Sequence, residues 1–146
     1  MTKKSYSLIL VTEKNLDQLN IFRNDLELDS RTLDYFKNDE NRVWMIVESG
    51  EQKALGIITI VPSQDEEKEI GFVLLPQERG KGILSTILPD FIKYLGLPLY
   101  AETSVGNHSA IRLLEKCGFQ LTKTKHGYHQ TAYGETVKSV AYRYHF

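Results

Sequence analysis

Cysteine is almost missing from this chain: Cys117 is the only one in 146 residues. A lone thiol excludes an internal disulfide, and with it the cross-linked secreted scaffolds, and it suits a reducing compartment. Charge of one sign is missing too. Lysine and arginine number 18, aspartate and glutamate 19, and the net charge is −1, so no bulk basic field gathers nucleic acid. Long hydrophobic runs are absent. The apolar part of "MTKKSYSLILV" is too short for a signal peptide, and no segment approaches membrane-spanning length. There is no internal repeat and no low-complexity tract. These absences leave one cytoplasmic domain over residues 1–146, with a single sizeable core and neither a nucleic acid nor a membrane as partner.

What is present alternates between the two periods of regular structure. Residues 5–11 read as a strand. Thr12 then caps a helix carrying Leu16, Leu19, Phe22 and Leu26, and Ser30 caps a shorter one with Leu33 and Phe36. Residues 42–49 and 53–63 read as strands joined by the turn "SGEQ", and the acidic turn "QDEEK" follows. Residues 69–76 form a continuous apolar strand of the kind buried inside a sheet. Residues 83–95 suit a helix that Pro89 must kink or restart. Residues 97–105 are a strand. "NHSAIRLLEKCGF" is a helix with Asn107 as cap and Gly118 as stop. "FQLTKTK" and "VKSVAYRYHF" are two closing strands. The order β-α-α-β-β-β-α-β-α-β-β predicts a mixed α/β sheet.

The chemistry starts at "PQERGKG", where a strand, a glycine-rich basic turn and a helix start make an anion cradle. A nucleoside-triphosphate loop is excluded, because Gly80-Lys81 is followed by Gly82 rather than by a hydroxyl residue. Gly80-Lys81-Gly82-Ile83-Leu84-Ser85 approaches a dinucleotide fingerprint, with Glu102 at a suitable distance, but only one β-α pair follows it. A diphosphate on a long neutral arm, as in coenzyme A, needs only helix-start amides and a nearby cation, here Arg79 and Lys81. A plain surface turn is the remaining reading.

Two motifs in order carry a resemblance. Pro76, Arg79 and Gly82 match a P-x-x-[QR]-x-x-G-x-[GA] turn. Asn107, Ala110, Leu113, Leu114, Glu115, Lys116, Gly118 and Phe119 match N-x-x-[SA]-x-x-[LV]-[LY]-E-K-x-G-F. Together they resemble the GNAT superfamily of acetyl-CoA-dependent N-acetyltransferases, and within it the branch that includes the ribosomal-protein N-terminal acetyltransferases. Leu84 stands where the family usually has Gly or Ala; the alternative register Gln77-x-x-Gly80-x-Gly82 uses the same loop.

The resemblance implies an α+β fold with a mixed, mostly antiparallel central sheet flanked by helices, and a splayed strand pair that forms the acetyl-CoA cleft. Val73, Leu74 and Leu75 would offer backbone groups to the pantetheine arm. Amides from Gly80 through Lys81, Gly82 and Ile83 to Leu84, with the Arg79 charge, would hold the diphosphate. Asn107 would contact the arm as well as cap its helix. Glu102 is the implied general base, with Glu69 as the second candidate. A protein N-terminus is the favoured acceptor, and a small-molecule amine or polyamine the second.

Leu114 occupies a position where many relatives carry a tyrosine acid. The proton for the thiolate must therefore come from another hydroxyl, such as Tyr100, Tyr128 or Tyr133, or from solvent or the new ammonium. The same gap supports an alternative, an acyl-CoA-binding module without turnover. His126 and His129 form H-x-x-H but lack the partners of a metal set, so no metal is expected. The oligomeric state stays open.

Overall fold

A computed structural model of the chain describes residues 4–12, 14, 42–63, 67–122, 127–130 and 136–145, with the backbone alone at 127–130 and 136–137. Both early helices, the middle of the acidic turn, His126 and Tyr133 lie outside these residues. At the expected start of the first helix, the Thr12 hydroxyl accepts the Lys14 amide at 3.3 Å, which is how a cap residue acts.

The chain falls into two compact units, Met1–Val61 with Gly71–Ile83, and Pro62–Ile70 with Leu84–Phe146. In the first, β1 (Tyr6–Leu10), β2 (Arg42–Glu48) and β3 (Gly56–Pro62) lie side by side, and β3 neighbours β4 (Lys68–Leu74). Tyr6↔Glu48 and Met45↔Ile57 set two antiparallel registers. One face of these strands buries Val43, Met45, Val47 and Ile57 with Ala54 and Leu75, and Ile9 and Val11 pack against them. The other face buries Ile46 and Ile58. Burial on both faces explains why β2 and β3 read as apolar runs rather than alternations. Gly56 is a point of close approach: a Cβ there would lie 2.6 Å from Leu74 Cδ2 and 2.7 Å from the Val73 carbonyl oxygen.

In the second unit β8 (Thr136–Tyr144) is the spine. It pairs antiparallel with β5 (Leu99–Ser104), β6 (Gln120–Leu121) and β7 (Gly127–Gln130). The start of β4 joins β5 in a parallel ladder, Lys68↔Leu99 and Glu69↔Tyr100. Among the described ladders this is the one parallel pair, which does not fit the repeated crossovers of a dinucleotide fold. Helix α1 (Ile83–Leu95) buries Leu88, Phe91 and Ile92 and runs through Pro89 without restarting. Gly96 ends it with φ 60°. Helix α2 (His108–Lys116) starts at Asn107, whose Oδ1 accepts the Ala110 amide at 3.2 Å. It stops as predicted at Gly118: the Gly118 amide donates to Glu115 and the Phe119 amide to Leu114, both at 3.0 Å, a Schellman stop.

Two expectations need correction. The strand over 69–76 is not uniformly buried: Ile70 and Leu75 are, but Phe72 and Leu74 are half-buried and Val73 is 37% exposed. The strand expected from "FQLTKTK" is only β6, and a separate strand, β7, forms beyond it. Among the described residues no helix is long and apolar enough to cross a membrane.

Gly56→Ala is expected to cost about 1–3 kcal/mol, since backbone and side chain crowd the new methyl. Gly106→Ala, with nothing within 4 Å of its Cβ position, should stay within about 0.5 kcal/mol of the parent. Equal midpoints in urea unfolding of the two variants would contradict the close approach.

Candidate active site

Residues on a strand alternate faces, and cross-strand partners share one. Along β5 and β8 this sorts apolar from polar groups. Leu99, Ala101 and Tyr142 are buried on one face, where the Tyr142 hydroxyl reaches Glu115 of α2 at 3.3 Å. The opposite face carries Tyr100, Glu102 and Ser104 of β5 with Ser139 and Arg143 of β8, and Glu69 arrives beside Tyr100 through the parallel ladder.

On that face Glu102 is the hub. Its Oε1 accepts the Ser139 hydroxyl at 2.5 Å and its Oε2 the Tyr100 hydroxyl at 3.0 Å. The Arg143 guanidinium sits 5.5 Å from the Tyr100 ring centroid, and its Nε donates to both Glu67 oxygens at 3.1 Å. Glu67, in the acidic turn, thus has a partner in Arg143. Burial, and after it the charge of Glu102, raises the Glu69 carboxyl above its ordinary range. Burial, hydrogen bonding to Glu102 and the two carboxylate charges push the Tyr100 hydroxyl up to about 12, against a lowering by Arg143. Tyr100 therefore stays a protonated donor at neutral pH. Sequence reasoning brought Glu69 and Glu102 forward but missed Ser139, Arg143 and Glu67. The i, i+2 spacing of Ser139, Ala141 and Arg143 signals a shared face; only the β5–β8 register says whose.

The basic turn forms in the first unit. A 3-10 turn over Pro76–Glu78 leads through Arg79, in extended backbone, to Gly80 and Gly82 at φ 77° and 75°. A Cβ at either glycine would meet nothing within 4 Å, so left-handed backbone rather than crowding requires glycine there. The turn is exposed from Arg79 to Gly82. Lys81 lies 3.1 Å from Glu78, an exposed pair of little energetic weight, while Arg79 makes no ion pair among the described residues. Helix α1 starts at Ile83 with no acidic residue in its first turn, which leaves the positive end of its dipole to an anion. These features fit a diphosphate.

Leu75 needs correction as a partner for a cofactor arm: its amide donates to Leu55 and its carbonyl accepts the Glu78 amide, both at 2.9 Å. Val73 and Leu74 remain. Asn107 is a real cap and is exposed. Leu114 is fully buried, so packing accounts for its leucine. Among the described residues no group of three side chains is placed to hold a metal.

The sequence profile of the acetyltransferase (GNAT) domain matches residues 12–120, more than half the chain. The chain belongs to the GNAT acetyltransferase family. Acetyl-CoA fits as cosubstrate, and the mixed sheet with α1 and α2 is the GNAT fold. Among solved structures, spermidine N-acetyltransferase from Vibrio cholerae superposes with TM-score 0.73 at 16% identity, over 95% of this chain and 92% of that one. Arabidopsis thaliana NAA60, solved with acetyl-CoA, gives 0.71 at 17%, over 96% and 98%. The ribosomal-protein-S5-alanine acetyltransferase of Vibrio fischeri gives 0.77 at 14%, over 99% and 94%. A search of curated proteins by sequence finds no match.

A buried, raised carboxyl destabilises the fold once it ionises. Glu69 is neutral in folded and unfolded chains well below its ordinary value of 4.5, and its cost appears as pH rises through the folded value. Glu69→Gln should therefore leave the melting temperature unchanged at low pH and raise it at pH 7. Melting curves across pH that show no difference, or a loss at pH 7, would contradict the shift.

Proposed function

We propose that this GNAT domain, spanning the chain, transfers the acetyl group of acetyl-CoA directly to a primary amine. The observation that carries it is the polar face of the second unit, where two carboxylates, Glu69 and Glu102, meet around Tyr100. Acetyl-CoA brings an activated thioester; this chain's residues bind it and manage protons. Arg79, the Gly80–Leu84 amides and the α1 dipole hold the diphosphate. Val73 and Leu74 line the arm. Glu102 takes the proton from the acceptor amine, and Glu69 beside it adds negative charge that draws the ammonium form in. Attack by the amine nitrogen forms the C–N bond as the C–S bond breaks, and the thiolate is protonated by the new ammonium or by water. Burial pushes the Cys117 thiol up, which opposes a thiolate nucleophile and supports direct transfer over an acyl-cysteine route.

For the acceptor, the branch resemblance and the likeness to the S5-alanine acetyltransferase favour a protein N-terminus. A polyamine is the second reading, favoured by the carboxylate-rich face and the likeness to spermidine N-acetyltransferase. The domain acts in the cytoplasm.

Thiol release from acetyl-CoA, followed over a panel of N-terminal peptides, spermidine and simple amines, tests this. Sustained acceptor-dependent release is expected, and Glu102→Gln should lower kcat by roughly 10²–10⁴-fold while acetyl-CoA still binds. Binding of acetyl-CoA with no acceptor-dependent release on any amine would leave the acyl-CoA-binding reading, and unchanged turnover in Glu102→Gln would remove Glu102 as base.

A further inference from the structure

Among the described side chains one polar residue is fully buried: Ser139, at 1% exposure. A hydroxyl shut away from water without a partner costs about 1–3 kcal/mol. Alanine or valine would fill a strand position without that liability. What the serine has is a carboxylate: it donates to Glu102 Oε1 at 2.5 Å.

The other carboxylate oxygen is held with equal care. Tyr100 donates to Oε2 at 3.0 Å, and its ring lies under Arg143, which Glu67 anchors. Glu102 is thus gripped from two sides by donors on two strands. A carboxylate has about four acceptor positions, so two donors leave room for a substrate proton. A glutamate side chain also has torsional freedom to lose, and these bonds remove it at folding rather than at reaction.

On the acetyltransferase reading above, we propose that Ser139 is a positioning residue: with Tyr100 it fixes the Glu102 carboxylate for proton transfer from the acceptor amine. It touches neither substrate nor cofactor and works through Glu102.

A double-mutant cycle on thiol release tests this. Ser139→Ala should lower kcat roughly ten- to a hundredfold, the range for a misplaced catalytic group, with KM for acetyl-CoA within about twofold. Combined with Glu102→Gln it should change kcat by less than about twofold, because coupled residues are not additive. Tyr100→Phe, which frees the other oxygen, should behave the same way and carries the test if Ser139→Ala fails to fold. Wild-type kcat in both single variants, or equal losses in the wild-type and Glu102→Gln backgrounds, would overturn the proposal while leaving the acetyltransferase reading intact. A wild-type chain inactive on every amine would overturn the reading, and the proposal with it.

Discussion

Alternation along β5 and β8 is the constraint on which the rest depends. One set of side chains, Leu99, Ala101 and Tyr142, is buried on the face that meets α2. The pleat then forces Tyr100, Glu102, Ser139 and Arg143 onto the other. A slip of one residue in β5 out of the Glu102↔Ala141 register would put Glu102 and Tyr100 in the apolar core and Leu99 and Ala101 on the polar face. The core therefore fixes the site: apolar burial selects the register, and the register assembles the hydrogen bonds of Glu102.

The same face shows stability given up locally. Glu69 is half-buried with another carboxylate nearby, an arrangement that packing alone disfavours. Such groups concentrate where chemistry needs a charge or a proton acceptor near neutral pH. The donors on Glu102 balance part of that strain, and the Glu67–Arg143 pair places a cation at the Tyr100 ring. In the first unit the burden falls on backbone instead. Gly80 and Gly82 in left-handed conformation shape an exposed turn that only glycine enters cheaply.

Much of this was legible in the sequence, for physical reasons that differ by element. Helix α2 carries its own cap and stop, Asn107 and Gly118, so local chemistry fixed both ends. β2 and β3 were legible because burial on both faces leaves unbroken apolar runs. The basic turn was legible because positive φ demands glycine. Val73 shows the limit: its strand has the composition of a buried one, but exposure depends on neighbours that composition does not encode. Ser139 shows another. Nothing local marks it, and its importance appears only once β8 lies against β5. β6 is shorter than its sequence suggested and the separate β7 was missed, because β8, a long partner, imposes pairing on segments of weak strand character.

The central claim is that the basic turn of this GNAT domain holds acetyl-CoA. Its most direct test is the melting temperature during titration with acetyl-CoA, with CoA and NAD in parallel. A ligand that binds only the folded chain stabilises it by about 2.7 kcal/mol at a hundredfold excess over its dissociation constant. A saturable rise with acetyl-CoA and CoA and none with NAD is the predicted result. A rise with NAD alone, or no rise with either CoA ligand, would contradict it.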